Sequence, residues 1–304
     1  MSRPKEPRRP AAAPGLLIVD KPAGMTSHDV VARARRIVGT RKVGHAGTLD
    51  PMATGVLVLG IERATKLLGH LALDRKTYLA TLSLGRSTTT DDAEGESLTD
   101  AAPEALEAVT DGQITEGVAA LTGDIQQVPS AVSAVKIDGK RAYARVRAGE
   151  DVVLPPRPVT VHRFDVLDLR REDDRIELDA VVECSSGTYV RALARDLGAG
   201  LGVGGHLKAL RRTTVGPFTL ARARTLDQLE ETPELSLDLD AAVAAAFPRR
   251  DLDAATARAV QYGRRIPAGG IDGTYGLFDP DGHVLALAAD TEGVTRSVVV
   301  LLPA

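Results

Sequence analysis

Cysteine, tryptophan and long apolar runs are scarce or missing in this sequence, and each shortage excludes a class of protein. Cys184 is the single cysteine among 304 residues, so no intrachain disulfide can form. A zinc site built on two or more cysteines is excluded for the same reason, and the reducing cytosol is the compartment to expect. Five Tyr and four Phe make up the whole aromatic content, so few side chains are available to stack on a ligand.

Membrane-spanning and secreted proteins are also disfavoured. No run of about 18 apolar residues occurs, so we expect no transmembrane helix. The N-terminal stretch MSRPKEPRRPAAAPG is basic but lacks the apolar core of a signal peptide. Its prolines and charges predict a disordered basic tail over residues 1–14. The six histidines show no ligand spacing such as HxxxH, so no metal site is expected.

Charge is nearly balanced overall but unevenly distributed. Lys and Arg number 38 against 41 Asp and Glu, which gives a net charge of −3 and little reason by itself to expect a nucleic-acid partner. However, residues 91–116 are strongly acidic, whereas basic clusters lie at 33–42, 140–147 and 206–212. A polyanion responds to the local field, and an acidic stretch can hide a cationic face in the total. Binding to nucleic acid therefore stays open.

The hydrophobic pattern predicts a mixed fold. Hydrophobic residues make up 43% of the chain, and its length favours two domains. Periodicity predicts strands at 16–19, 55–61, 77–85 and 175–184, a hairpin at Asp138-Gly139, and helices at 26–39, 103–121 and 188–201. From about residue 251 the pattern changes to short β segments. There is no regular βαβ rhythm, so we expect an α+β fold with a small C-terminal β domain rather than a doubly wound α/β fold.

The segment GHAGTLDP, residues 44–51, raises the question of function. It is too rich in turn residues for a helix and too polar for a buried strand, so it is predicted to be a loop. The proline that follows Asp50 favours an extended backbone there, and the loop leads straight into an apolar strand. Gly47 allows unusual dihedrals or a close approach of a ligand, and His45 adds a donor. On the residues alone, a plain Asp-Pro turn and a loop that presents one carboxylate both remain open.

Three further side chains are candidates, each with an ordinary structural alternative. The apolar stripe of helix 188–201 places Arg191 and Arg195 on the side away from the core. There Arg191 is either a solvated helix arginine or the partner of a buried carboxylate. Tyr78 on its strand is either a core residue or a surface on which a base stacks. Lys21, in VDKPAG, is either a turn lysine or a phosphate contact.

A long series of motifs resembles one known family. The run GHAGTLDPMATGVLVLGIERATKL (44–67) closely resembles the signature of the bacterial tRNA pseudouridine synthase B (TruB-type) family. The resemblance continues in the family's order and covers most of residues 15–220, through segments 16–31, 76–96, 126–149 and 184–218. It implies a pseudouridine synthase fold, with a mixed, mainly antiparallel sheet flanked by helices, over residues 15–246. A small PUA-like β domain that binds RNA is implied for residues 250–304.

The resemblance also implies roles for individual residues. Asp50 corresponds to the catalytic nucleophile, Arg191 to the partner of its carboxylate, and Tyr78 to the tyrosine that packs on the flipped base. The implied substrate-binding residues are Lys21, His45, Gly47, Thr48 and Leu210, of which His45 helps to turn the nucleotide out and Leu210 lines the pocket. Residues 124–152 resemble an insertion that closes over the RNA. Val132 departs from the family pattern, since many relatives carry an aromatic residue in that motif.

The implied activity is isomerisation of the T-loop uridine of tRNA, U55 in the tRNA convention, to pseudouridine. The implied partner is the T arm of tRNA. No cofactor, metal, membrane or obligate protein partner is expected, and the expected state is a cytoplasmic monomer. Two other functions stay open. One is a tRNA-folding chaperone, whose chemistry is dispensable or which adds folding to modification. The other is an Asp-dependent glycosidase, which the absence of a second acidic residue in the Asp50 motif weakens.

Overall fold

The computed structural model describes residues 12–71, 75–130, 136–137, 140–141 and 154–302. The predictions for residues 1–11, for Val132 and for most of the segment 124–152 lie outside these ranges. Strands 136–137 and 140–141 pair antiparallel, as the Asp138-Gly139 signal predicts, although the turn residues themselves lie outside the described part. Among the described residues, no helix is long and apolar enough to cross a membrane.

The strands, numbered in chain order, are β1 (Gly15–Lys21), β2 (Val43–Ala46), β3 (Thr54–Ile61), β4 (Lys76–Leu84), β5 (Arg86–Thr88), β6 (Ser97–Asp100), β7 (Gly123–Gln127), β8 (Lys136–Ile137), β9 (Lys140–Arg141), β10 (Arg157–Glu172), β11 (Arg175–Cys184), β12 (Gly205–Val215), β13 (Phe218–Thr219), β14 (Leu237–Asp238), β15 (Arg249–Asp251), β16 (Ile266–Pro267), β17 (Tyr275–Phe278), β18 (Val284–Thr291) and β19 (Val294–Val300).

The helices are α1 (Ser27–Val38), α2 (Leu68–Leu71), α3 (Pro103–Glu107), α4 (Asp111–Ala120), α5 (Val190–Gly200), α6 (Leu226–Glu231), α7 (Leu239–Ala246) and α8 (Ala254–Gln261), with short 3-10 turns at Glu62–Leu67 and Leu220–Arg222. The single helix predicted for 103–121 is wrong, because the chain forms α3 and α4 instead. Thr110 starts a new helix with a capping box, in which its side chain and that of Gln113 each bind the other's backbone N–H.

The chain forms two compact units. One comprises Met1–Pro51, Gly55–Ala72 and Val215–Ala304, and the other comprises Met52–Thr54 and Leu73–Thr214. Each is built around its own strands, and the residues predicted to act on a substrate are divided between them.

In the first unit, the apolar runs of β1 and β3 are buried on both faces. β1 pairs antiparallel with β3 and with β14, and β2 pairs antiparallel with β3. Alternate residues of β1 face opposite ways: Leu16 and Ile18 pack into one core cluster, whereas Leu17 and Val19 pack against α1 and α6 in another. This double burial explains why the strand is continuously apolar rather than alternating.

The first unit also contains the small C-terminal β domain that the sequence predicts. Its five strands are ordered β15-β17-β18-β19-β16, with β15 parallel to β17 and the other pairs antiparallel. Phe278, Val284 and Leu287 join the cluster that holds Leu16 and Ile18. The sheet therefore shares a core with the strands at the start of the chain.

In the second unit, the strands follow the order β12-β4-β11-β10-β7. β4 pairs antiparallel with β11, and β11 with β10. Along β4 and β11 alternate residues are buried, as predicted, and Tyr78 lies opposite Val182 on the buried face. The other face is polar, and there Thr81 donates to Asp179 at 2.7 Å. The mixed, mainly antiparallel α+β prediction is confirmed.

Candidate active site

The segment 44–51 begins as a strand and continues as a turn. Residues Val43–Ala46 form β2, with His45 opposite Leu59 of β3, so the prediction of a loop throughout was wrong for residues 44–46. The backbone pairing with β3 outweighs the high glycine content. Gly47 then takes a φ of 81°, a left-handed conformation that favours glycine and turns the chain. Asp50 follows, half-buried, three residues into this turn.

The residue before Asp50 is fixed by helix α1. Ser27, at the first position of the helix, accepts a hydrogen bond from the Leu49 amide at 2.9 Å and donates one to the Leu49 carbonyl at 3.1 Å. Ser27 and Leu49 are both buried. Helix α1 itself starts where the sequence predicts, with Thr26 as N-cap in a capping box with Asp29. The position of Leu49 is therefore set by a well-anchored helix end.

The residue after Asp50 is held by a buried cation. The Lys21 ammonium donates to the carbonyl of Pro51 at 3.1 Å and to that of Pro22 at 2.8 Å. The Gly24 amide also donates to the Pro51 carbonyl, at 2.9 Å. Lys21 is fully buried, which favours a role in holding this turn over that of an exposed turn lysine. Its implied contact with the substrate stays a prediction.

His45 lies beside a second histidine that sequence reasoning missed. The rings of His45 and His28 meet edge to face, with centroids 5.5 Å apart and an interplanar angle of 79°. His28 is the second residue of α1. The sequence signal was present in TSHDVV, but the distance of 17 positions between the two histidines hides their proximity. Of the other predicted residues in this unit, Gly47 is half-buried and Thr48 is exposed.

In the second unit, Arg191 is buried rather than on an outer helix face. Only 5% of its surface is exposed, so the prediction that it lies away from the core was wrong. Its Nη1 donates to the Thr90 carbonyl at 2.7 Å and lies 3.3 Å from the carboxylate of Asp92. The loop that carries Thr90 and Asp92 covers the side of α5 that the apolar stripe does not. A buried arginine paired with a buried carboxylate is the type of contact predicted for Arg191.

Asp92 is a residue that the sequence analysis did not single out. It is buried, and its Oδ1 accepts hydrogen bonds from the Thr90 hydroxyl and, at 3.1 Å, from the Glu94 amide. The Thr88 hydroxyl donates to its carbonyl at 2.7 Å. The residue was hidden in the acidic run 91–116, where most carboxylates are solvated. The predicted pairing of Arg191 with Asp50 stays a prediction.

Tyr78 and Leu210 are both buried, with 7% and 8% of their surfaces exposed. Tyr78 lies on β4 and Leu210 on β12, which are neighbours in the sheet. Beside Leu210, Arg211 donates to the Thr54 hydroxyl at 3.2 Å. The structure therefore brings Lys21, His45, Gly47, Thr48 and Asp50 together in one unit, and Tyr78, Arg191 and Leu210 in the other.

The chemistry of the remaining candidates is limited. Burial raises the pKa of the Cys184 thiol to about 11, so this cysteine is not a nucleophile near neutral pH. Across the ranges that the structure describes, no group of three or more His, Cys, Asp or Glu side chains is placed to hold a metal ion. Asp50 is flanked by two residues whose backbones are fixed by hydrogen bonds, and its role as nucleophile stays a prediction.

Comparisons with known protein families agree with one another over the length of the chain. Residues 35–190 match the N-terminal domain of the TruB family pseudouridylate synthases. Residues 191–243 match the tRNA pseudouridylate synthase B C-terminal domain, and residues 247–302 match the C-terminal model of tRNA pseudouridine synthase II. The three matches follow one another without overlap.

Similar proteins come from several bacteria. The chain is 59% identical over 305 residues to tRNA pseudouridine synthase B of Rhodococcus jostii, covering 100% of this chain and 99% of the relative. It is 62% identical over 289 residues to the enzyme of the same name from Nocardia farcinica, covering 95% and 94%. For the Mycobacterium tuberculosis enzyme, the values are 57% over 294 residues, with coverage of 97% and 98%.

Solved structures confirm the fold. An H/ACA RNP bound to a substrate RNA containing 2′-deoxyuridine matches with a TM-score of 0.70 at 24% identity, covering 95% of this chain and 85% of that one. A Cbf5-Nop10-Gar1 complex matches with a TM-score of 0.69 at 26% identity, again covering 95% and 85%.

Proposed function

This chain belongs to the TruB family of pseudouridylate synthases, and from that premise we propose that it isomerises the T-loop uridine of tRNA, U55, to pseudouridine. It is an RNA-modifying isomerase. The observation that carries the proposal is the fixed position of Asp50 within the family's motif. Ser27 binds the residue before it, and Lys21 binds the residue after it.

The reaction exchanges one bond to the ribose for another. The N1–C1′ glycosidic bond breaks, the uracil rotates, and a C5–C1′ bond forms, while C5 loses a proton and N1 gains one. Positive charge builds at C1′ as the first bond breaks. The carboxylate of Asp50 stabilises that charge, attacks C1′ to form an ester bond that breaks as the C5–C1′ bond forms, or removes a proton from C2′ that is returned once the new bond is made. No electron is transferred and no group is imported, so the balance requires no redox cofactor.

The turn around Asp50 provides preorganisation. A carboxylate that is already in place when charge develops at C1′ costs no reorganisation at the moment of reaction. Displacement of a reacting group by about 1 Å can cost roughly 100-fold in rate. The four hydrogen bonds that fix Leu49 and Pro51 lie at 2.9–3.1 Å and involve Ser27, Lys21 and Gly24.

Arg191 and Tyr78 complete the proposed catalytic set. Arg191 is the proposed partner of the Asp50 carboxylate and orients it, and within its own unit the guanidinium is held by Asp92 and the Thr90 carbonyl. Tyr78 packs on the flipped uracil, and His45 helps to turn the nucleotide out of the loop. Extraction of a base costs roughly a few kcal/mol, and stacking on an aromatic ring recovers about 1–3 kcal/mol. Leu210 lines the base pocket, and Gly47 and Thr48 contact the nucleotide.

Two exposed basic regions of the first unit support binding to tRNA. Arg35, Arg36 and Arg41 line a surface concavity of about 610 Å³ at the end of α1. In the C-terminal domain, Tyr262 is 69% exposed and precedes the exposed Arg264 and Arg265. An exposed aromatic ring followed in sequence by two exposed arginines is suited to a nucleic-acid base and its phosphates. We expect the RNA affinity to fall with salt, with a log–log slope of about −0.7 to −0.9 per neutralised phosphate.

The proposed domains are a catalytic domain over 15–246 and an RNA-binding domain over 250–304. Support comes from the C-terminal sheet, whose first strand begins at Arg249, and from the family match over residues 247–302. We further propose that the chain acts alone on the T arm, as a cytoplasmic monomer without an obligate protein partner. Modification by the purified chain, together with a monomer mass in solution, tests this.

A T-arm transcript provides the direct test of function. The purified chain is incubated with a T-arm stem-loop, and pseudouridine is mapped by chemical labelling and primer extension, while free uracil is assayed in the same tubes. A matched transcript with cytidine at the target position is the control. We expect modification at the single T-loop uridine and no released uracil. Released uracil would identify a glycosidase, and RNA binding without modification would favour the chaperone.

A further inference from the structure

Helix α5 carries a second arginine that contacts the loop holding Arg191. One turn along the helix, Arg195 Nη1 lies 3.1 Å from the carboxylate of Asp91. Its Nη2 donates to the Val128 carbonyl at 2.8 Å, and its Nε donates to Asp196 at 2.8 Å. The side chains of Arg195 and Asp91 are 26% and 13% exposed. Arg195 is therefore a partly buried cation whose bonds tie α5 to two separate segments.

Asp91 is the residue between the two that hold Arg191. The Thr90 carbonyl accepts a hydrogen bond from the Arg191 guanidinium, and the Asp92 carboxylate pairs with it. Asp91 itself has a φ of 59°, in the left-handed region that residues with a side chain rarely adopt. This conformation turns the chain between Thr90 and Asp92. The carbonyl of Thr90 and the side chain of Asp92 therefore both reach the guanidinium of Arg191.

The left-handed turn is also bound to a neighbouring strand. The Leu207 amide of β12 donates to the Asp91 carbonyl at 3.0 Å, and the Ala93 amide donates to the Leu207 carbonyl at 3.0 Å. Burial raises the pKa of Asp91, and the charge of Arg195 opposes that change. Among the groups that lower this pKa, the charge of Arg195 is the largest contribution, followed by a hydrogen bond from Ser130 and the charge of Arg191.

We propose that Arg195, acting through the carboxylate of Asp91, is a positioning residue for the guanidinium of Arg191. Arg195 holds the loop from the side of α5, Asp91 keeps its left-handed turn, and the turn sets the distance from Thr90 and Asp92 to Arg191. The inference rests on the proposed function, because the role of Arg191 in catalysis is part of it. Arg195 then affects the rate of pseudouridine formation without contacting the substrate.

Two charge-removing variants test the pair. Arg195→Gln removes the cation, and Asp91→Asn removes the anion with nearly unchanged shape while keeping a residue that tolerates the left-handed region. The double variant completes a mutant cycle, and Arg195→Lys restores a charge. Arg163→Gln, which breaks an exposed ion pair with Asp165 on β10, is the matched control. For each chain we would measure kcat and KM on the T-arm transcript, the Kd for a non-reactive transcript, and the midpoint of thermal unfolding.

If Arg195 positions Arg191, each single variant lowers kcat about tenfold and leaves KM and Kd within about twofold. The double variant falls no further than the slower single variant, because both remove the same interaction. Arg195→Lys recovers part of the loss, and Arg163→Gln matches the wild type. If Arg195→Gln fails to fold, the Asp91→Asn variant decides.

Three results would overturn the inference: unchanged kcat in both single variants, losses that add up in the double variant, or losses confined to KM. If the wild-type chain makes no pseudouridine, the result overturns the proposed function itself, and the positioning role with it.

Discussion

The turn that holds Asp50 and the network that holds Arg191 fix their central residues by different means. The turn is tied to segments that lie close by in sequence: Ser27 bonds across 22 positions and Lys21 across 30. The arginine network draws on segments about 100 positions away, with Arg191 bound to Thr90 and Arg195 to Asp91. The first arrangement contacts mainly backbone atoms, whereas the second pairs buried charges.

This difference bears on how each region should respond to substitution. Backbone carbonyls and amides stay in place when one donor is lost. Removing a single hydrogen bond should therefore shift the turn around Asp50 only slightly. A buried arginine that loses its carboxylate is left with an uncompensated charge, which is strongly unfavourable. We therefore expect loss of the Asp92 carboxylate to cost more than loss of a single donor in the turn, whereas loss of the Asp50 carboxylate itself costs most of all.

Asp92→Asn should give the largest effect among the supporting residues. The amide keeps the shape of the side chain but removes the charge that faces Arg191 at 3.3 Å. We expect kcat to fall about 100-fold, as for loss of one preorganised electrostatic contact, with RNA affinity nearly unchanged. Asp100→Asn, which breaks an exposed pair with Arg86 in the same part of the chain, is the control. Equal kcat values for Asp92→Asn and Asp100→Asn would show that the buried carboxylate facing Arg191 matters no more to catalysis than an exposed one.

Ser27→Ala should have a smaller effect on catalysis and a measurable effect on stability. The substitution leaves the buried amide and carbonyl of Leu49 without the hydroxyl that serves both. The expected cost in unfolding free energy is about 1–3 kcal/mol, and kcat should fall about tenfold as Asp50 gains freedom. Steady-state kinetics and denaturant unfolding would measure both, with the exposed Ser97→Ala as control. A loss of stability with unchanged kcat would show that the turn does not set the position of Asp50.

A pH experiment on the C-terminal sheet should leave catalysis untouched. Hydrogen bonds from Tyr275, first, and from Thr295 and Gly270 lower the pKa of Asp290 to about 2. Since the folded pKa lies below the unfolded value of about 3.9, the stabilisation is present above that value and is lost as pH falls towards 2.

Asp290→Asn should therefore flatten the decrease of the unfolding midpoint between about pH 4 and pH 2, with wild-type kcat at neutral pH. The exposed Asp272→Asn is the matched control. An unaltered pH profile of the unfolding midpoint would contradict the assignment, and a large fall in kcat would mean that this sheet contributes to the chemistry.

Much of the fold followed from hydrophobic patterning. The alternation along β4 and β11, the unbroken apolar runs of β1 and β3, and the capped helix α1 are all confirmed. Such patterns report which side of an element faces a core. They failed for Arg191, because its buried environment is created by a polar loop rather than by an apolar stripe.

The candidate site was predictable only in part for the same reason. Asp50 was visible because its glycines, proline and neighbours form one continuous motif. Asp92 and Asp91 lie in an acidic run in which nothing local separates a buried carboxylate from a solvated one. His28 shows its contact with His45 only after α1 and β2 have packed. Contacts between distant segments are set by tertiary structure, which local periodicity does not encode.

The role of the Asp50 carboxylate is tested most directly by comparing Asp50→Asn with Asp173→Asn, which replaces an exposed aspartate in the turn between β10 and β11. Single-turnover pseudouridine formation on the T-arm transcript is followed alongside RNA affinity. We expect Asp50→Asn to lose at least about 1,000-fold in rate, since the group acting on C1′ is gone, and to keep wild-type affinity. Asp173→Asn should change neither. Pseudouridine formation by Asp50→Asn at the wild-type rate would contradict the claim that this carboxylate carries the chemistry.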